Sequence, residues 1–275
     1  MLKNNILQFI FYNKIFIITI FFILTFNFVV SSQNFSSDQN FVFIKGCNAK
    51  MRLYEHQNKL IKVKISDFYI SKFEVTNKEY SDFLNKFGNR FVNHIPYINV
   101  SGKWRAEKCR IYLQDSIYKV ENGYENYPVS FVSWYGADAF CKAEGNRLPT
   151  ENEWIFASNG AILKNRSELF EYSGTNNADS ISWFEENSEN KIHEIGTKKA
   201  NKFGLFDMTG NVSEWCSDDF SEENDNKIET TKFKVHKGGS FASSKDYLKT
   251  SKKGGSSPGV HKITIGFRVV KSVKK

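Results

Sequence analysis

One stretch limits what the chain can fold into more than any other: Asn201–Cys216, which reads NKFGLFDMTGNVSEWC. Gly204 and Gly210 open the left-handed region of backbone space, and Leu205, Phe206, Met208, Val212 and Trp215 are apolar enough to fix both flanks in a core. A buried, sharply bent loop is the expected outcome. Within it Asp207 and Glu214 can aim carboxylates at one point, and the carbonyls of Gly210 and Val212 can add two more oxygens. That is part of an oxygen cage for a hard cation such as Ca²⁺. The plainer reading of carboxylates beside glycine turns is a helix cap or a solvated loop.

Elsewhere the periodicity is that of an α+β domain. Short apolar runs at Phe41–Ile44 and Leu60–Tyr69, with alternation at Ile61, Val63 and Ile65, predict strands in a hairpin-like start to a sheet. Thr76 followed by Glu79 is a capping box, and Tyr80, Phe83, Leu84 and Phe87 recur at helical spacing before Gly88, so a helix is predicted over Asn77 to Phe87. Ser133 heads a second helix, Trp134 to Glu144, with Trp134, Ala137, Phe140 and Cys141 facing inward and Gly145 ending it. Thr150 and Glu153 form another capping box for a short helix bearing Trp154. Asn89–Asn126 reads as a long irregular insertion with a short strand at Cys109–Leu113. Beyond Ala157 loops and short strands are expected, closing on a strand at Ile263–Val270.

The first 32 residues carry Lys3 and Lys14 ahead of an apolar run, Ile15–Val30, and then small residues before Gln33. That pattern predicts a secretory signal, an uncleaved membrane anchor being the alternative. It leaves residues 33–275 as one domain, secreted or periplasmic, in the cell envelope, and touching a membrane only through the leader. There Cys47, Cys109, Cys141 and Cys216 could form disulfides in any of three pairings, and their spacing gives no zinc cluster.

Charge is unevenly placed. From Asp207 to Glu229 there are eight acidic residues against one lysine, whereas Lys232 to Lys275 holds eleven lysines and Arg268 against Asp246 alone. The basic block lacks interleaved aromatics or a groove-reading helix, so no nucleic-acid partner is expected; it reads as a solvated face that complements the acidic segment.

Five motifs stand in a familiar order: FEVTNKEY (Phe73–Tyr80), RLPTENEW (Arg147–Trp154), GLFDMTGNVSEW (Gly204–Trp215), KGGSF (Lys237–Phe241) and GFRV (Gly266–Val269). In these the chain resembles the formylglycine-generating enzymes, or sulfatase-modifying factors. The resemblance implies a C-type-lectin-like fold with two main helices, small sheets and much loop, and a structural Ca²⁺ held by Asp207, Gly210, Val212 and Glu214. It also implies a chemistry in which Cu(I) on two cysteine thiolates uses O₂ to oxidise a peptide cysteine. The positions corresponding to those thiolates are Ser243 and Leu248. A hydroxyl is a poor ligand for Cu(I) and leucine is none, so copper is not expected here. Nor do the scattered His56, His94, His193, His236 and His261 suggest the iron site of other relatives. Where the family often has a cysteine after GFR to pair with the equivalent of Cys141, this chain has Val269.

The expectation is therefore a non-catalytic member that binds a peptide, protein or glycan of the envelope, with a formylglycine-generating oxidase as the rival.

Overall fold

The computed structural model describes residues 40–51, 61–159, 170–224 and 227–273. The expected leader and His56 lie outside them. The first strands form as the alternation predicts: β1 (Phe41–Ile44) and β2 (Asn48–Met51) are followed by β3 (Ile61–Lys64) and β4 (Phe68–Ser71). β1 pairs antiparallel with β4, and β2 with β3. Period-two geometry buries Phe68 and Ile70 while Tyr69 faces out.

Helix α1 spans Asn77–Phe87. The Thr76 hydroxyl accepts from the Glu79 amide at 3.2 Å, and the Glu79 carboxylate accepts from the Thr76 amide at 2.8 Å. Tyr80, Phe83 and Leu84 are buried, and Gly88 ends the helix at φ 79° with its N–H bonded to Leu84. Thr76→Ala should lower stability by about 1 kcal/mol in urea unfolding, because it strips the cap from otherwise unpaired N-terminal amides.

The long insertion is more ordered than its mixed polarity predicts. It folds into three small hairpins, β5 (Phe91–Val92) with β6 (Ile95–Pro96), β7 (Lys103–Trp104) with β8 (Glu107–Lys108), and β9 (Ile111–Gln114) with β10 (Ile117–Val120). Asn85 secures the last of these to α1, its side chain bonding the N–H and C=O of Tyr118.

Helix α2 (Trp134–Ala143) starts at the Ser133 cap, and α3 (Glu151–Ser158) at the Thr150 and Glu153 box. The Asp218 carboxylate accepts from the Glu151 amide at 2.7 Å and so caps α3 from outside.

The expectation of only short strands beyond Ala157 fails at one place. β11 (Ser213–Asn224) and β12 (Lys227–Lys237) make a long antiparallel ribbon, joined by β13 (Gly254–Ser256) and by β14 (Ile265–Gly266). Its polar stretch SDDFSEEN lacks apolar alternation, so periodicity does not mark it as a strand. The predicted closing strand is split in two. β14 pairs parallel with β11, whereas β15 (Val270–Ser272) pairs antiparallel with β4. Residues 267–269 thus cross from one sheet to the other, and Arg268 sits at the crossing.

One apolar cluster joins α1, α2 and the insertion through residues such as Tyr80, Ile111, Cys141 and Phe267. Another lies between α3, β4 and β12, with Phe68, Trp154, Met208, Cys216 and Val235.

Candidate functional site

The glycine-turn loop has the predicted character. Gly204 and Gly210 take φ of 78° and 79°, and Asp207 and Asn211 join them at 54°. Asp207, Met208, Gly210, Val212 and Glu214 are all buried.

Three carboxylates meet there, one more than the loop itself supplies. Glu74, the second residue of the FEVTNKEY motif, is 1% exposed and accepts from the Asn211 side-chain amide at 2.7 Å and the Val212 amide at 3.1 Å. Asp207 accepts from the Gly196 amide at 2.7 Å through Oδ2, while its Oδ1 is buried without a protein partner. Glu214 faces Arg268, whose Nε and Nη2 bond its two oxygens at 2.7 Å each; Trp154 Nε1 adds a third bond at 2.7 Å.

Burial pushes the Glu74 carboxyl well above its ordinary range, and the neighbouring Asp207 and Glu214 charges add to the shift. Burial likewise raises Asp207 to about 6. Sequence reasoning passed over Glu74, Trp154 and Arg268 as contributors. The available signal was a lone acid between Phe73 and Val75, in a segment otherwise apolar enough to be core.

Ser243 and Leu248, the positions that the resemblance would give to copper thiolates, are built differently. Ser243 Oγ accepts from the Ser240 amide at 3.0 Å and lies 3.2 Å from Ser240 Oγ. Leu248 has no exposed surface and packs with Tyr172, Ala178, Ile181 and Phe184. A Cβ on Gly239 would come within 2.7 Å of a Leu248 methyl, which shows how closely that side chain is held. A hydroxyl and a buried methyl cluster do not fit Cu(I).

No other cysteine takes their place among the described residues. Cys141 and Cys216 belong to separate apolar clusters, and all four cysteines are free. Burial raises the Cys109 thiol to about 11 and pushes Cys141 and Cys216 well above the ordinary thiol range, so these three are held as neutral thiols. Val269, where the resemblance led to the expectation of a cysteine, packs in the cluster that holds Cys141.

The histidines do not converge. His193 stacks on Trp183 at 3.8 Å between ring centroids, and His261 bonds the Pro96 carbonyl. His236 packs edge-on to Trp215 and reaches Ser256 Oγ at 3.3 Å. Among the described residues no group of three or more His, Cys, Asp or Glu is arranged to hold a metal ion.

Burial, reinforced by Lys262 and Lys237, lowers the His236 imidazole to about 3. An unfolded histidine takes up its proton near ~6.5. Between these values the unfolded chain binds more protons than the folded one. The stability tied to neutral His236 is therefore complete above about pH 6.5 and is lost as pH falls toward about 3. The drop in urea midpoint from about pH 7 to about pH 5 should be smaller in His236→Asn than in the parent.

The acidic and basic segments do meet. Glu214 pairs with Arg268, and Asp219 with Lys234 at 2.6 Å. Other lysines of the block bind acids elsewhere, Lys253 meeting Glu151 at 3.3 Å and Lys245 meeting Glu186 at 2.8 Å. Lys237 is fully buried with its ammonium on the carbonyls of Thr250 and Lys252.

Residues 27–273 match the family model described as sulfatase-modifying factor enzyme 1-like domain. The chain is 30% identical over 223 residues to serine/threonine-protein kinase pkn1 of Chlamydia caviae, covering 76% of this chain but 34% of the kinase. It is 28% identical to chaperone protein LppX of Paenibacillus barcinonensis, covering 78% of this chain and 82% of that one. With the formylglycine-generating enzyme of Mus musculus it shares 27% identity over 75% of this chain and 66% of the enzyme. Among solved structures, Treponema denticola variable protein 1 superposes with a TM-score of 0.62 at 25% identity, covering 84% of this chain and 94% of that one. The α+β, C-type-lectin-like architecture is the one these neighbours share.

Proposed function

Because this chain belongs to the sulfatase-modifying factor enzyme 1-like family, we propose that it keeps the family's scaffold without the copper oxidation and works as a binding protein. Its partner is a peptide, protein or glycan of the cell envelope, reached by export through the N-terminal leader. The observation that carries this reading is Leu248, sealed among Tyr172, Ala178, Ile181 and Phe184 at a position where a copper thiolate would be needed. Supporting it, Cys141 and Cys216 are buried in separate clusters. The relatives' own names, which run from kinase to chaperone to formylglycine-generating enzyme, fit a scaffold that hosts unlike tasks.

The test is direct. Purified protein incubated with Cu(I), O₂ and a peptide containing Cys-x-Pro-x-Arg should yield no aldehyde by mass spectrometry, and the peptide cysteine should be recovered intact. Catalytic formation of the aldehyde would establish the rival oxidase reading and end this one.

A further inference from the structure

The donor set that the family resemblance assigns to Ca²⁺ does not fit that ion in this chain, and the reason lies in one side chain. A guanidinium offers five N–H donors in a fixed planar fork. In Arg268 all five have an oxygen. Nε and Nη2 take the two oxygens of Glu214, Nη2 also bonds the Phe206 carbonyl at 2.7 Å, and Nη1 bonds the carbonyls of Ser71 and Lys72 at 3.0 and 3.2 Å. The oxygens come from the end of β4, the glycine-turn loop and the start of β11, so one cation ties together three parts of the fold. Both side chains are closed to solvent, Arg268 at 0% and Glu214 at 1% exposure.

With Glu214 engaged, the assigned set offers at most Asp207 Oδ1 and the carbonyls of Gly210 and Val212. Ca²⁺ takes about six to eight oxygens. To recruit Glu214 as well, it would have to approach a guanidinium across a shared carboxylate, two positive charges a few ångströms apart in a dry interior.

We propose that Arg268 is itself the cation of this cage, and that the glycine-turn loop is held without calcium. Melting temperatures of the full chain in millimolar Ca²⁺ and in EGTA should then agree within about 1 °C. A Ca²⁺ site filled at about a hundredfold its dissociation constant would raise the midpoint by about 5–10 °C for a domain of this size. A rise of that order that disappears in both Asp207→Asn and Asp207→Ser overturns the proposal. A rise that both variants retain comes from another place in the fold and leaves Arg268 as the cation here. Tb³⁺ provides a readout independent of melting, since a lanthanide at the cage would lie beside the Trp154 indole that bonds Glu214. No Asp207-dependent sensitised emission is expected, and its appearance would count against the proposal.

Discussion

Arg268→Leu should lower stability by about 3–5 kcal/mol, measured by urea denaturation. The substitution leaves the Glu214 carboxylate, 1% exposed, with the Trp154 N–H as its remaining partner, and it takes the Arg268 donors from the Ser71 and Phe206 carbonyls, while the Lys72 carbonyl keeps the Phe206 amide. An uncompensated buried charge is the expensive part. Adding Glu214→Leu to Arg268→Leu should therefore restore some of the lost stability, whereas two independent defects would simply add. Arg268→Lys should fall between, because an ammonium has three donors and cannot span both carboxylate oxygens and three carbonyls. Loss no larger than that of an exposed ion pair, under about 1 kcal/mol, would show that the pair does not hold the fold.

The second large effect lies in the loop itself. Gly204 and Gly210 have nearly the same backbone, φ 78° and 79°, yet their surroundings are opposite. A Cβ on Gly204 would meet nothing within 4 Å, while one on Gly210 would lie 2.3 Å from the Trp183 carbonyl oxygen. Gly204→Ala should thus cost about 1 kcal/mol, the left-handed penalty alone. Gly210→Ala adds a backbone clash that no rotamer can relieve and should cost about 2–5 kcal/mol. Equal losses in the two variants would mean that the loop yields at Gly210, and that it does not fix the direction in which Asp207 and Glu214 point.

How much of this could be read beforehand depended on the range of each interaction. Capping boxes are local, so Thr76 with Glu79 and Thr150 with Glu153 marked the starts of α1 and α3 correctly. The glycine-turn loop was equally legible, because positive φ and flanking apolar residues are written within sixteen consecutive positions. Glu74 and Arg268 were not. Each is unremarkable beside its own neighbours, and both gain their roles from partners far along the chain, Glu74 bonding Asn211 across 137 positions and Arg268 bonding Ser71 across 197. The β11–β12 ribbon escaped for another reason: the stretch SDDFSEEN has no apolar alternation, so no periodicity marks it as a strand. Ser243 and Leu248 show the opposite case: their residue types can be read in place, and the structure adds that Leu248 is fully buried.

The order in which the chain is made gives the Arg268 crossing a further meaning. Ser71, Lys72, Phe206 and Glu214 all precede Arg268 in the sequence, the nearest by 54 positions. A nascent chain that has reached residue 267 contains every helix and both strands of the ribbon, but Glu214 still lacks its counter-charge. Its three parts cannot lock until the ribosome has delivered one late arginine. Closure by this arginine is thereby postponed until nearly the whole domain has been synthesised.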